Sequence, residues 1–159
     1  MDTIAEERLE GAALEAWRSY LQSHASIVRV LDAELAADHG ITSRDYEVLL
    51  YLAQEDDRKL AMSALAERTM LTRSGITRLV DGLVNAGLIE RTACRSDARV
   101  SYAKLTDAGY AKLREAGCSH VRSIHRLFLE HFSPEEVSQL AELLSRLPGA
   151  RPGGCCTVE

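Results

Sequence analysis

The sequence predicts a mainly α-helical fold interrupted by one β-hairpin. Three observations carry that expectation. Leu, Ala, Glu and Arg are abundant while aromatic residues make up only 5% of the chain, a balance that favours helix over sheet. Apolar residues recur at helical spacing through both ends of the chain. Between Ile89 and Leu105 the apolar period shortens from about 3.6 to about 2, as in paired strands.

Taken in order, residues 1–9 are polar and expected to fray. From Gly11 to Asp38, the residues Leu14, Trp17, Leu21, Ile27, Val28, Leu31 and Leu35 mark a long helix without proline, and Gly40 supplies its stop. A helix of about 27 residues spans about 40 Å, too long to bury its face on a small domain, so a partner helix is implied. Ile41 to Tyr46 is a strong helix start. Thr42 caps, Asp45 stands at the third helical position, and Ile41 and Tyr46 form the flanking apolar pair. This helix runs to about Gln54; Glu55 to Arg58 is a charged turn and Lys59-Leu60 a very short strand. Met62 to Thr69 is a second short helix. A tight break at Met70-Leu71, without the usual glycine, separates it from a helix capped by Thr72, and the pair forms a helix-turn-helix. After Asn85-Ala86-Gly87, strands from Ile89 to Cys94 and from Val100 to Leu105 enclose the turn Arg95 to Ala98 and make a two-stranded wing. Thr106-Asp107 opens a second long helix, expected to reach about Phe132. Ser133-Pro134-Glu135-Glu136 is a capping box with proline at the first helical position, leading into a helix with Val137, Leu140, Leu143, Leu144 and Leu147.

The full expectation is a winged helix-turn-helix with long N- and C-terminal dimerisation helices. The divisions are an N-terminal dimerisation helix at 1–38, a DNA-binding winged unit at 39–106, C-terminal dimerisation helices at 107–147 and a disordered tail at 148–159. Leftover apolar faces at both ends are most simply covered by a second copy, which sets two reading helices on successive major grooves about 34 Å apart.

The stretch from Thr72 to Leu83, TRSGITRLVDGL, carries the functional reading. Ile76, Leu79, Val80 and Leu83 form one stripe, and Arg73, Ser74, Thr77 and Arg78 share the other side. Such a helix suits a DNA major groove. Arginine holds guanine O6 and N7 through two parallel hydrogen bonds, and Ser or Thr meets a base edge or a phosphate. The wing carries Arg95 and Arg99 flanking Asp97. A narrow minor groove attracts an inserted arginine, while Asp97 is expected to shape the turn or orient Arg99. The candidate DNA-binding residues are therefore Thr72, Arg73, Ser74, Thr77, Arg78, Arg95, Asp97 and Arg99.

A net charge of −5 argues at first against nucleic acid, but its distribution does not. Six positive and three negative side chains between Leu71 and Leu105 leave +3 there and −8 elsewhere, a basic island on an acidic body. No apolar run approaches the roughly 18 residues of a membrane span, and the acidic N-terminus lacks the apolar core of a secretory signal, so a cytoplasmic location is expected. Cys94, Cys118, Cys155 and Cys156 form no C-x-x-C pair, and free thiols are expected in a reducing compartment. There is no nucleophile–base pairing, phosphate-binding glycine loop or metal motif, so the sequence points away from an enzyme and calls for no cofactor.

From about residue 10 to residue 147 the chain resembles the MarR family of bacterial transcriptional regulators. The resemblance is carried by TRSGITRLVDGLVNAGLIER and SDARVSYAKLTDAG, with Asp97-Ala98-Arg99 in the wing and Leu105-Thr106-Asp107-Ala108-Gly109 after it. Two positions depart from the family pattern. Ala98 stands where a basic residue is usual and Gly82 where many members carry arginine, and each removes a candidate phosphate contact. The resemblance implies an obligate homodimer, a pseudo-palindromic operator in double-stranded DNA, and repression relieved by a small molecule. It also implies a cleft for small aromatic or phenolic effectors between the first helix, the second helix and the DNA-binding lobe. Here Trp17, Arg18, Leu21, His24, Tyr46 and Glu47 are expected to line it. Rings of Trp17 and Tyr46 offer stacking surface, and Arg18 or His24 can hold a carboxylate; the competing role for Trp17 and His24 is dimer packing.

Two alternatives stand beside this reading. One is thiol-based redox sensing, with Cys94 beside the cationic Arg95, or with Cys155-Cys156. Peroxide-sensing members place their cysteine near the start of the first long helix, and no cysteine precedes Cys94 here. The other is a winged-helix protein-interaction module without specific DNA contact, which would lack the steep salt dependence of a DNA reader. Cys118, His120, His125 and His131 share one helix without an i, i+4 histidine pair, so no metal site is expected.

Overall fold

Helix α1 (Gly11–His39) stops where a residue free of Cβ permits it. Gly40 turns into the left-handed region at φ 67°, and its N–H donates to the Ala36 carbonyl. The computed structural model describes residues 8–93 and 100–150. Of the 29 residues in α1 only Leu35 is buried, so this helix meets the rest of its own chain near its C-terminal end. Asp32 accepts a hydrogen bond from the Ser43 N–H at 2.7 Å and fixes the corner into helix α2 (Ser43–Ala53). There the expected capping box forms. The Asp45 N–H donates to Thr42 Oγ1, the Thr42 N–H donates to the Asp45 carboxylate at 2.8 Å, and Ile41 and Tyr46 are both buried.

Strand β1 (Lys59–Ala61) runs without a linker into helix α3 (Met62–Arg68), followed by helix α4 (Arg73–Asn85) and strands β2 (Ile89–Ala93) and β3 (Ser101–Leu105). The very short strand foreseen at Lys59 joins the wing, making one antiparallel sheet in the order β1-β3-β2. Leu60 and Arg91 both register with Ala103, from opposite sides of the central strand. The core lies under this sheet, where Leu49, Leu52, Leu65, Ile76, Ile89 and Leu113 from five different elements are fully buried. Its tightest point is Gly109 in helix α5 (Asp107–Leu127). A Cβ there would stand 2.1 Å from the Leu88 carbonyl oxygen and 2.7 Å from Leu105 Cδ1.

One boundary differs from expectation. The long helix toward Phe132 ends at Leu127, and the chain continues through a 3₁₀ turn at Leu129–His131. Pro134 sets only an outer limit: its ring has no N–H to donate and would collide with the Glu130 carbonyl, so an α-helix cannot pass through it, but α5 has already given way to the 3₁₀ turn before that point. The residue before it, Ser133, is extended as proline requires, and it caps helix α6 (Pro134–Leu144) in a box with Glu136. Phe128 and Phe132 meet edge-on across the 3₁₀ turn at 5.6 Å. No residue of α6 is buried within this chain. Among the described residues, no helix is long and apolar enough to cross a membrane.

Candidate nucleic-acid interface

Helix α4 is held by its neighbours on one side and open on the other. Its start is set by the turn before it. Buried Thr69 donates its hydroxyl to the Leu65 carbonyl at 2.8 Å, Met70 adopts φ 53°, and the Leu71 N–H returns to the Ala66 carbonyl. Thr72 is then the N-cap, its Oγ1 accepting from the Gly75 N–H at 3.1 Å. Ile76, Val80 and Leu83 are buried against the core. Arg73, Ser74, Thr77 and Arg78 are all exposed on the opposite side.

The sequence placed eight residues at this surface. The structure brings Thr72, Arg73, Ser74, Thr77 and Arg78 onto one helix start, with Thr72 occupied as the cap and 3.2 Å from the Ser74 hydroxyl. Among the described residues neither Arg73 nor Arg78 has an ion-pair partner, which leaves both guanidinium groups for an outside ligand. Arg95, Asp97 and Arg99 lie outside the described residues. Arg91 belongs to the same surface and had been read only as one charge of the basic island. It donates to Asp81 at 2.8 Å and to the Thr77 carbonyl at 3.2 Å.

The sequence profile of the MarR family matches residues 39–100, the segment that contains this surface. The solved structure of AbsC, a MarR family regulator from Streptomyces coelicolor, is 31% identical and superposes with a TM-score of 0.81, covering 87% of this chain and 93% of that one. Sco3205 from the same organism, solved in complex with DNA, is 32% identical with a TM-score of 0.82 over 86% of this chain and 89% of that one. The chain belongs to the MarR family. Among curated relatives of this MarR-family chain, the transcriptional repressor YetL of Bacillus subtilis is 28% identical over 87% of this chain and 84% of its own length. The regulator PapX of Escherichia coli is 36% identical, but the match spans only about half of each chain, 48% and 47%. The protein is thus a DNA-binding transcriptional regulator with a winged helix-turn-helix fold.

Within the single chain the six expected effector-lining residues of this MarR-family protein are distributed over separate surfaces. Trp17 and His24 line one groove, Arg18 and Leu21 are exposed on α1, and Tyr46 is buried in α2 with its ring 4.7 Å from His120 of α5. Glu47 is paired with Arg44 at 3.0 Å. The reason is length: Trp17 precedes Leu35, where α1 meets the core, by about 27 Å of helix. What Trp17 does join is an aromatic ladder with Tyr20 and His24, ring centroids 6.2 and 6.1 Å apart. Tyr20 was missed because the face was drawn through Leu21; spacing of three then four residues, rather than four then three, was the available signal.

The groove beside this ladder has a volume of about 760 Å³, and Phe128, Phe132 and the leucines of α6 form its far wall. At the other end of α1, Glu34 bonds Ser123 and Arg126 of α5. The Ser123 hydrogen bond, opposed by partial burial and helped by Arg126, holds the Glu34 carboxyl below its usual range. Burial holds the neighbouring His120 ring below the ordinary imidazole value, with Glu34 pulling the other way. Cys118 is exposed on α5, and the other three cysteines lie outside the described residues.

Proposed function

We propose that the protein is a homodimeric repressor that reads a pseudo-palindromic operator with two copies of α4 and is released from it by a small aromatic or phenolic ligand. The observation that carries this is the exposed row Arg73, Ser74, Thr77 and Arg78 set opposite the buried Ile76, Val80 and Leu83. Arg73 and Arg78 supply bidentate donors for guanine or phosphate, and the hydroxyls of Ser74 and Thr77 supply shorter contacts. In this division of labour the winged unit at 39–106 reads DNA and the flanking helices join the two copies, in the cytoplasm where the operator is. Arg95 and Arg99 extend the contact from the wing, as the family resemblance implies.

Dimerisation is supported by what the single chain leaves uncovered. Trp17 is 52% exposed and Leu143 54%, on the two walls of one apolar groove, and α6 buries nothing. A helix this short is not stable in water on its own propensity, so its apolar side calls for a partner surface. Repression is supported by the relative named as a repressor. Aromatic ligand chemistry is supported by the rings of Trp17, Tyr20 and His24. Ligand entry that changes the separation of the two reading helices breaks register with both half-sites at once, and so converts binding energy into loss of operator affinity.

The test is a mobility shift on a duplex enriched from a random library, run at rising salt, with light scattering on the free protein. The wild type is expected to scatter as a dimer and to lose affinity steeply as salt rises. Replacing Arg73 and Arg78 together by Ala should weaken binding by about 1,000-fold or more, because a homodimer loses four bidentate contacts at roughly 1–3 kcal/mol each, with the melting temperature unchanged. A lone monomer, or undiminished affinity in the double variant, contradicts the proposal. A thermal-shift series with phenolic acids tests the ligand class, because a ligand that binds the folded form raises the midpoint.

A further inference from the structure

On the open side of α4 sits a negative charge, which on its own disfavours contact with DNA. Asp81 is one helical turn beyond Thr77 and two beyond Arg73 and Ser74, on the exposed side of the helix, with its side chain more than half exposed. A carboxylate there repels phosphate. Arg91, from strand β2, reaches across to it at 2.8 Å and also donates to the Thr77 main-chain carbonyl at 3.2 Å. That carbonyl has a second lone pair beyond the one used within the helix, so Arg91 adds a bond without breaking one. One guanidinium thus grips the helix at a side chain and at the backbone, one turn apart.

We propose that Asp81 and Arg91 are positioning residues that set the roll of α4 about its own axis, and that neither touches DNA. The proposal rests on the reading of DNA by α4 argued above. Ile76, Val80 and Leu83 hold the helix along one buried stripe, and a non-directional apolar contact resists separation better than rotation. With side chains the helix has a radius of about 5–6 Å, so a roll of about 10° moves a side-chain tip by about 1 Å. That shift is enough to spoil a two-bond contact to a base edge. Arg91 anchors the flank of the helix to a strand that cannot follow such a roll. Its Cα registers with Ala103 of β3, and the other edge of β3 is occupied by β1. The anchor therefore ties the orientation of Arg73, Ser74, Thr77 and Arg78 to the sheet at the base of the wing.

The sign of one substitution separates this role from plain electrostatics. Asp81→Asn removes a negative charge from the DNA side, so charge alone predicts tighter binding, whereas loss of the anchor predicts weaker binding. Affinities are measured on a duplex enriched from a random library by the wild type and on a scrambled duplex of equal length. Asp81→Asn and Arg91→Gln are each expected to weaken the enriched duplex by about tenfold and the scrambled one far less. The double variant should be no weaker than Arg91→Gln alone, the salt slope should be unchanged, and Arg91→Lys should recover part of the loss. In DNA-free protein, amide hydrogen exchange across α4 should quicken in both single variants while their melting temperatures stay within a few degrees of the wild type.

Tighter binding by Asp81→Asn, additive losses, or unchanged exchange in α4 would overturn the proposal. So would a salt slope shallower by about one in Arg91→Gln, which would make Arg91 a phosphate ligand. A wild type with no preference for any duplex would instead remove the reading of DNA by α4. That outcome is separate, because hydrogen exchange decides the anchor without DNA.

Discussion

Met70 and Arg58 share an unusual backbone state and are expected to respond to the same substitution in opposite directions. Both are non-glycine residues in the left-handed region, at φ 53° and φ 51°. That conformation costs an L-residue roughly 1–2 kcal/mol. Met70 is 81% exposed and gains no packing in return. Met70→Gly is therefore expected to stabilise the protein by about 0.5–1 kcal/mol, after the extra freedom glycine gives the unfolded chain, read as a higher urea midpoint at unchanged slope. Arg58 does gain something. Its guanidinium lies 3.9 Å over the Tyr110 ring and 3.3 Å from Asp107, and its carbonyl accepts from the Leu105 N–H. Arg58→Gly in the same assay should leave the midpoint unchanged or lower it. The sequence exposed the first position as a turn lacking its glycine but gave no sign of the second, because nothing local marks Arg58 as stacked on a ring far along the chain. Arg91 was hidden for the same reason: its two partners are on a different element.

At the scale of the element, what was legible was what is local. Both capping boxes, Thr42 with Asp45 and Ser133 with Glu136, formed as four-residue patterns must, since each bond spans three positions. The stop at Gly40 and the cap at Thr72 are of the same kind. The end of α5 was misplaced because periodicity continues through Phe128 and Phe132 and only Pro134 interrupts it, several residues after the helix has already tightened. The effector-lining set depends on a longer-range arrangement: within one chain α1 is buried only at Leu35, about 27 Å of helix from Trp17, so periodicity alone does not show which surface faces Trp17. By helix propensity alone Gly109 would be a weak point, because Ala is normally better inside a helix by about 1 kcal/mol. The fold reverses that. With the Leu88 carbonyl 2.1 Å from any Cβ, Gly109→Ala forces backbone apart and should destabilise by at least about 3 kcal/mol, seen as a large drop in the chemical-denaturation midpoint.

At the scale of the whole molecule, the uncovered groove between α1 and α6 is the surface on which the proposed dimer can be tested. Leu143 lies on its wall and is 54% exposed. In a lone chain Leu143→Glu would be nearly silent. In the proposed dimer it should halve the mass seen by light scattering and reduce operator affinity by about 100-fold or more, because two weakly held half-sites lose their mutual reinforcement. A silent Leu143→Glu variant would count against that interface. The winged unit itself is built as one block: β1 passes without a linker into α3 and pairs with β3, which pairs in turn with β2 beside α4. A signal arriving through α1 and α5 can then relocate this block but has little leverage to reshape it. In the proposed ligand-released repressor, induction is then expected to lower the affinity for every operator by a common factor and to leave their order of preference as it was.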